Sequence, residues 1–108
     1  MTRGSVIRVA DRAGDFTGKP RPAVVVQSGA FDGASLTVCP LTSSEADAPL
    51  LRLRVDPHAA LPLDRTSWIM VDKITTIRAN RVGPVIGAVG NTDMVRLNAM
   101  LAVFLGLG

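Results

Sequence analysis

Three short segments carry side chains suited to chemistry at a phosphate. Lys19-Pro20-Arg21-Pro22 sets one arginine between two prolines where a polar loop enters an apolar run. Proline fixes its own φ and restricts the residue before it, so the backbone here is held. An arginine so placed loses little freedom on binding, and its planar fork matches a phosphate, with Lys19 beside it; by composition alone, the plainer reading is an edge-of-strand turn whose arginine sits in solvent. Pro40-Leu41-Thr42-Ser43-Ser44 ends another apolar run. Its hydroxyls can donate to a phosphate oxygen, or can simply satisfy the backbone of a turn. Asp72-Lys73 follows Trp68-Ile69-Met70-Val71. A carboxylate and an ammonium where a buried strand emerges could exchange protons, although a regular strand would point them to opposite faces as two solvated charges.

The rest of the composition removes other chemistries. The 108 residues hold one cysteine, Cys39, and one histidine, His58. One cysteine excludes an intrachain disulfide framework and fits a reducing compartment. A Cys/His zinc site or a two-histidine ribonuclease cannot be built within one such chain. Cys39 sits in an apolar run as a small core residue, and His58 lies in a Pro-rich connection with no partner nearby. No stretch approaches the roughly 20 apolar residues of a membrane span, and the N-terminus has no signal-peptide pattern. The expectation is therefore a cytoplasmic protein without membrane contact. Twelve Lys+Arg against nine Asp+Glu give a net charge of +3, and ten of the twelve are arginine. Hydrophobic residues at 47% can build a core, although one this small gains from burial in a homodimer.

The elements that must position these residues are mostly short strands. Expected are Ser5 to Val9, Pro22 to Ser28, Ser35 to Leu41, Leu50 to Val55, Ser67 to Asp72 and Val85 to Val89, with Lys73 to Arg78 continuing or bending the fifth. Val24-Val25-Val26 reads as a strand buried on both faces, whereas Leu51, Leu53 and Val55 alternate with Arg52 and Arg54. Those two arginines are either the solvated face of a half-buried strand or a track for a phosphate backbone. Phe16, in the polar loop Asp11 to Lys19, is a candidate to stack on a base, and Phe31 in a turn is comparable. Trp68 reads as core or dimer interface rather than as a base-stacking platform. Met94, Leu97, Leu101, Phe104 and Leu105 form one helical stripe. Gly90 or Asn91 opens that helix and Gly106 stops it. The whole reads as one domain, residues 1–108, mainly β: a small antiparallel barrel with a C-terminal helix.

Nearly the whole chain resembles the MazF/PemK family of toxin ribonucleases from bacterial toxin–antitoxin pairs. The similarity runs through Arg3-Gly4-Ser5-Val6, Arg21-Pro22-Ala23-Val24-Val25-Val26-Gln27-Ser28 and Gly29-Ala30-Phe31-Asp32. It continues through Pro40-Leu41-Thr42-Ser43, Val71-Asp72-Lys73-Ile74-Thr75-Thr76-Ile77 and Ile86-Gly87. The resemblance implies an SH3-like barrel, a homodimer, an acidic antitoxin partner and cleavage of single-stranded RNA at short motifs without metal or other cofactor. It carries active-site roles to Arg21 and Thr42 and, from another branch, to Asp72. That branch has an arginine where this chain has Met70, and Lys73 is the residue placed to supply the missing charge. Phe16, Lys19, Ser43, Lys73, Arg52 and Arg54 are the expected RNA contacts.

In the reaction so implied, the ribose 2′-OH attacks the adjacent phosphate and expels the 5′-oxygen. The protein aligns the three atoms, offsets phosphorane charge and helps two protons move. Arg21 suits charge stabilisation; with a pKa above about 12 it is a poor base. Thr42 would bond a phosphate oxygen, and Asp72 would take the 2′-OH proton if the strand end turns it inward. Two rival readings are a CcdB-like barrel that poisons DNA gyrase by protein binding and a non-catalytic RNA-binding barrel. The internal Arg-Pro and Leu-Thr-Ser segments favour the ribonuclease over the first.

Overall fold

The computed structural model describes residues 1–11, 14, 20–31 and 33–107. Its strands are β1 (Ser5–Val9), β2 (Arg21–Val25), β3 (Ser35–Thr42), β4 (Arg52–Val55), β5 (Ser67–Met70), β6 (Thr75–Arg78) and β7 (Val82–Ala88), followed by helix α1 (Asn91–Leu105). The pairings are antiparallel, in the order β4-β5-β3-β2-β1-β7, with β6 on β3 as a branch.

β3 is the pivot. Its Ser35 to Val38 half pairs with β6, and its Leu41-Thr42 end pairs with β5. Pro40 falls in the gap between those two ladders, where its missing N–H interrupts neither of them. The three central strands are covered on both faces, as period two requires of a near-continuous apolar run. Val6, Val24 and Cys39 point into one core with Leu53, Ile69 and Leu97. Their neighbours Ile7, Ala23, Val25 and Val38 point into a second with Ile77.

The sheet curls but does not close: among the described residues no ladder joins β7 to β4. The connection after β4 lies against the end of β7 instead. Ala88 N–H donates to the Ala60 carbonyl at 2.9 Å, and His58 and Leu61 form an isolated antiparallel bridge. Gly87 is required at this contact, because a Cβ there would stand 2.6 Å from the Ala60 oxygen. β7 is longer than the expected Val85 to Val89. Gly83 and Pro84 hide its start in the sequence, yet proline is tolerated on this outer strand.

The helix begins after Gly90 and ends at Gly106, whose φ of 72° lets its N–H and that of Leu107 turn back to the last carbonyls. Leu97 and Leu101 are buried, with Met94 and Met100 packed beside them. The expected stripe is corrected at its end. Phe104 and Leu105 are 41% and 48% exposed, unlike the buried Leu97 and Leu101. No helix among the described residues is long and apolar enough to cross a membrane.

Gly87→Ala should destabilise the fold by about 1–3 kcal/mol through overpacking. Gly29→Ala, with nothing within 4 Å of its added methyl, serves as the control. Thermal unfolding followed by circular dichroism reads the difference; equal melting temperatures would refute the Ala60–Gly87 contact.

Candidate active site

Register brings Arg21 and Thr42 together. β2 and β3 pair Val25 with Val38, Val24 with Cys39 and Ala23 with Pro40. Two further steps set Arg21, the first residue of β2, across from Thr42, the last of β3. Directly opposed residues hold their Cβ atoms roughly 4.5–5.5 Å apart. Both line a rim cleft of about 180 Å³ with Ser43, Arg8, Asp64, Arg65 and Ser67. Arg21 also borders a second cleft, of about 190 Å³, with Asp11, Thr75 and Arg81.

Local hydrogen bonds aim the polar groups. Ser44 N–H donates to Thr42 Oγ1 at 3.1 Å. The turn reading of this cluster is therefore correct, and it has a chemical consequence: with that lone pair occupied, the Thr42 hydroxyl proton is available to an outside acceptor. Ser67 Oγ–H donates to the Arg65 carbonyl at 3.1 Å, fixing the loop that carries Asp64 and Arg65. In the second cleft, Arg81 Nε–H donates to the Ala10 carbonyl at 2.9 Å.

Asp72 does not join Arg21 and Thr42. β5 ends at Met70, and Val71–Lys73 forms a 3₁₀ turn that breaks the period-two alternation. Met70 pairs with Arg52 on β4, so the turn carries the Asp72 carboxylate over that arginine. Arg52 Nη1 lies 3.3 Å from Asp72 Oδ1, and Arg52 Nη2 donates to Oδ2 at 3.5 Å. The two side chains are only 15% and 21% exposed. The Nη1–Oδ1 approach is a charge contact without hydrogen-bond alignment, and Arg52 Nε is buried with no partner among the described residues. The expectation that the strand end turns Asp72 into the groove is thus corrected. Lys73, in the same turn, is exposed and does not line the Arg21–Thr42 cleft.

The other expected contacts are dispersed. Arg54 Nε–H donates to Asp56 Oδ1 at 3.2 Å, and Thr66 Oγ1–H donates to the same oxygen at 2.8 Å. The hydrogen bonds from Thr66 and then Arg54 hold the exposed Asp56 carboxyl below its ordinary range. Arg52 and Arg54 line an open cleft of about 550 Å³ with Trp68 and the Glu45–Pro49 loop. Phe16 and Lys19 lie outside the described residues. Phe31 is exposed, but in a different cleft at the opposite end of β2, with Arg3 and Gln27. Cys39 is buried as expected, and burial pushes its thiol up to about 11, with Arg3 opposing the shift. It is no nucleophile near neutrality.

Arg8, Asp64, Arg65 and Asp11 were not singled out by sequence. Arg8 carries a readable sign, as the one exposed residue of an otherwise buried strand. Asp64 and Arg65 lie in a Pro-rich connection whose course only the fold determines.

A family model described as "PemK-like, MazF-like toxin of type II toxin-antitoxin system" matches residues 2–105. The chain is 45% identical over 108 residues to a protein of Mycolicibacterium smegmatis named "Probable endoribonuclease MazF", covering 99% of this chain and 98% of that one. Among solved structures, an endoribonuclease in complex with its cognate antitoxin from a mycobacterial species superposes with a TM-score of 0.79. It is 25% identical, covering 100% of this chain and 97% of that one. A MazE–MazF complex from Deinococcus radiodurans shares the fold at a TM-score of 0.73 and 21% identity, covering 98% of this chain and 95% of that one.

Removing one partner of the Arg52–Asp72 pair leaves a mostly buried charge unbalanced. Asp72→Asn should therefore lower stability by about 1.5–3 kcal/mol. Chemical denaturation measures this, and an unchanged unfolding midpoint would show the pair to be idle.

Proposed function

The chain belongs to the PemK/MazF family of type II toxins, and we propose that it is an endoribonuclease that cuts single-stranded RNA at short sequence motifs and is neutralised by a cognate antitoxin. The observation that carries this reading is the β2–β3 register, which opposes Arg21 and Thr42 at the rim of a polar cleft. The relative of 45% identity is named an endoribonuclease, and a structural neighbour is one bound to its antitoxin. The net charge of +3 suits both a polyanion and an acidic antitoxin peptide.

The nucleophile is the substrate's own 2′-OH. It attacks the adjacent phosphorus, the bond to the 5′-oxygen breaks, and the products are a 2′,3′-cyclic phosphate and a 5′-hydroxyl. Arg21 holds the phosphate and offsets charge on the phosphorane, a role that preorganised donors perform best. Thr42 donates its free hydroxyl proton to a phosphate oxygen. Arg8 and Arg65 raise the positive potential of the same rim and draw the RNA strand toward it. Asp64 and Asp11 are the carboxylates that line Arg21's two clefts, which Asp72 does not line. Asp72 balances Arg52 and holds the 3₁₀ turn. No step calls on a metal ion, and homodimerisation would extend the groove across two copies.

Arg21→Ala should abolish cleavage of a long RNA, by 100-fold or more in rate, an effect on the order of losing one transition-state donor. Fold should be retained, because the side chain is exposed. Thr42→Val should lower turnover more than RNA affinity, and EDTA should leave the wild-type rate unchanged. Cleavage by Arg21→Ala at the wild-type rate would contradict the assignment.

A further inference from the structure

Cross-strand pairing continues past Thr42. Thr42 pairs with Trp68 on β5, and Trp68 pairs with Arg54 on β4. Directly paired residues share a face of the sheet. Arg21, Thr42, Trp68 and Arg54 therefore form one row across four strands, about 14 Å long at the usual strand spacing of about 4.8 Å. Trp68 is half-buried, and its accessible part lines the open cleft of about 550 Å³ with Glu45, Asp47, Arg52 and Arg54. A cleft of that size accepts a small heterocycle.

The charges of the cleft select its occupant. Arg52 is balanced by Asp72 and Arg54 by Asp56, while Glu45 and Asp47 add two carboxylates to the wall. That surface repels both a phosphate and an acidic peptide. Four charged residues around one ring also make a poor centre for a protein–protein interface, where charge is depleted. A neutral, planar, nitrogen-rich ring meets none of these objections, and it stacks on an indole. The geometry points to Trp68 as the stacking platform for the nucleobase that flanks the scissile phosphate, in a subsite walled by Glu45 and Asp47. This inference rests on reading Arg21 and Thr42 as the cleavage site.

The chain contains one tryptophan and no tyrosine, so its intrinsic fluorescence reports on this position alone. The probe is a 2′-O-methyl oligoribonucleotide spanning a mapped cut site, end-labelled so that anisotropy records binding independently. Saturation should quench Trp68 emission. An abasic nucleotide placed beside the cut should weaken binding roughly 5- to 150-fold in the wild type, the range of one base–aromatic stack. The same abasic strand should cause no further loss in Trp68→Ala and an intermediate loss in Trp68→Phe, which keeps an aromatic ring if the smaller variant folds poorly. Unchanged emission at full anisotropy, or equal abasic penalties at every position, would overturn the subsite. Emission that changes with protein concentration alone would overturn it in favour of a second copy of the chain. If Arg21→Ala abolishes cleavage while emission stays silent, the subsite fails and the ribonuclease reading stands; if the wild type neither binds nor cuts RNA, both fail.

Discussion

The register between β2 and β3 is the constraint on which the rest of the site depends. Val24 and Cys39 are paired, fully buried and point into the same core. A slip of one residue would turn each strand's apolar set to the wrong face. Both faces of these strands are packed, so the slip would disrupt two cores at once. The apolar interior thereby fixes a polar relationship three residues further along, at the rim, where Arg21 meets Thr42. Exchange of β6 for β5 along β3 extends the row toward Trp68 and Arg54. Neither rim side chain has to stabilise its own position.

Charge is divided between structure and chemistry. Arg52 and Arg54 each face a carboxylate of their own chain, one pair mostly buried and one exposed. The exposed pair contributes little to stability, whereas the buried pair ties the 3₁₀ turn to β4. The rim cleft instead gathers Arg8, Arg21 and Arg65 around a single carboxylate among its described lining residues, Asp64. The rim therefore carries an excess of guanidinium groups, while the same groups on the β4–β5 face are already neutralised.

Much of this was legible in the residues. β1 was bounded correctly because Gly4 and the polar stretch after Val9 punctuate it, and the Arg52/Arg54 alternation is the period of a half-buried strand. Arg21 and Thr42 were visible as strand-end chemistry flanked by prolines. Their mutual opposition was not, since register is a property of two strands and a sequence shows one at a time. Asp72 is hard to place from sequence for a local reason: an extended Ser67 to Asp72 run reads smoothly, and nothing in Met70-Val71-Asp72 announces a 3₁₀ turn. β2 also stops earlier than its valine run suggests. Val26 N–H bonds the Thr37 carbonyl, and the Gln27 side chain accepts from Thr37 N–H and donates to the Phe31 carbonyl, which begins the turn. By residue type alone Trp68 reads as core or interface before it reads as a stacking platform. Its place in a row beside Thr42 depends on pairings with two strands distant in sequence.

On the proposed mechanism, a guanidinium and a hydroxyl, opposed by register, let RNA supply its own nucleophile. The ends of the cut strand record that directly. Mass spectrometry of a defined oligoribonucleotide after digestion should find a 2′,3′-cyclic phosphate on the upstream fragment and a 5′-hydroxyl on the downstream one. A 5′-phosphate with a free 3′-hydroxyl would mean that water, not the ribose, attacked phosphorus, and would refute the 2′-OH mechanism.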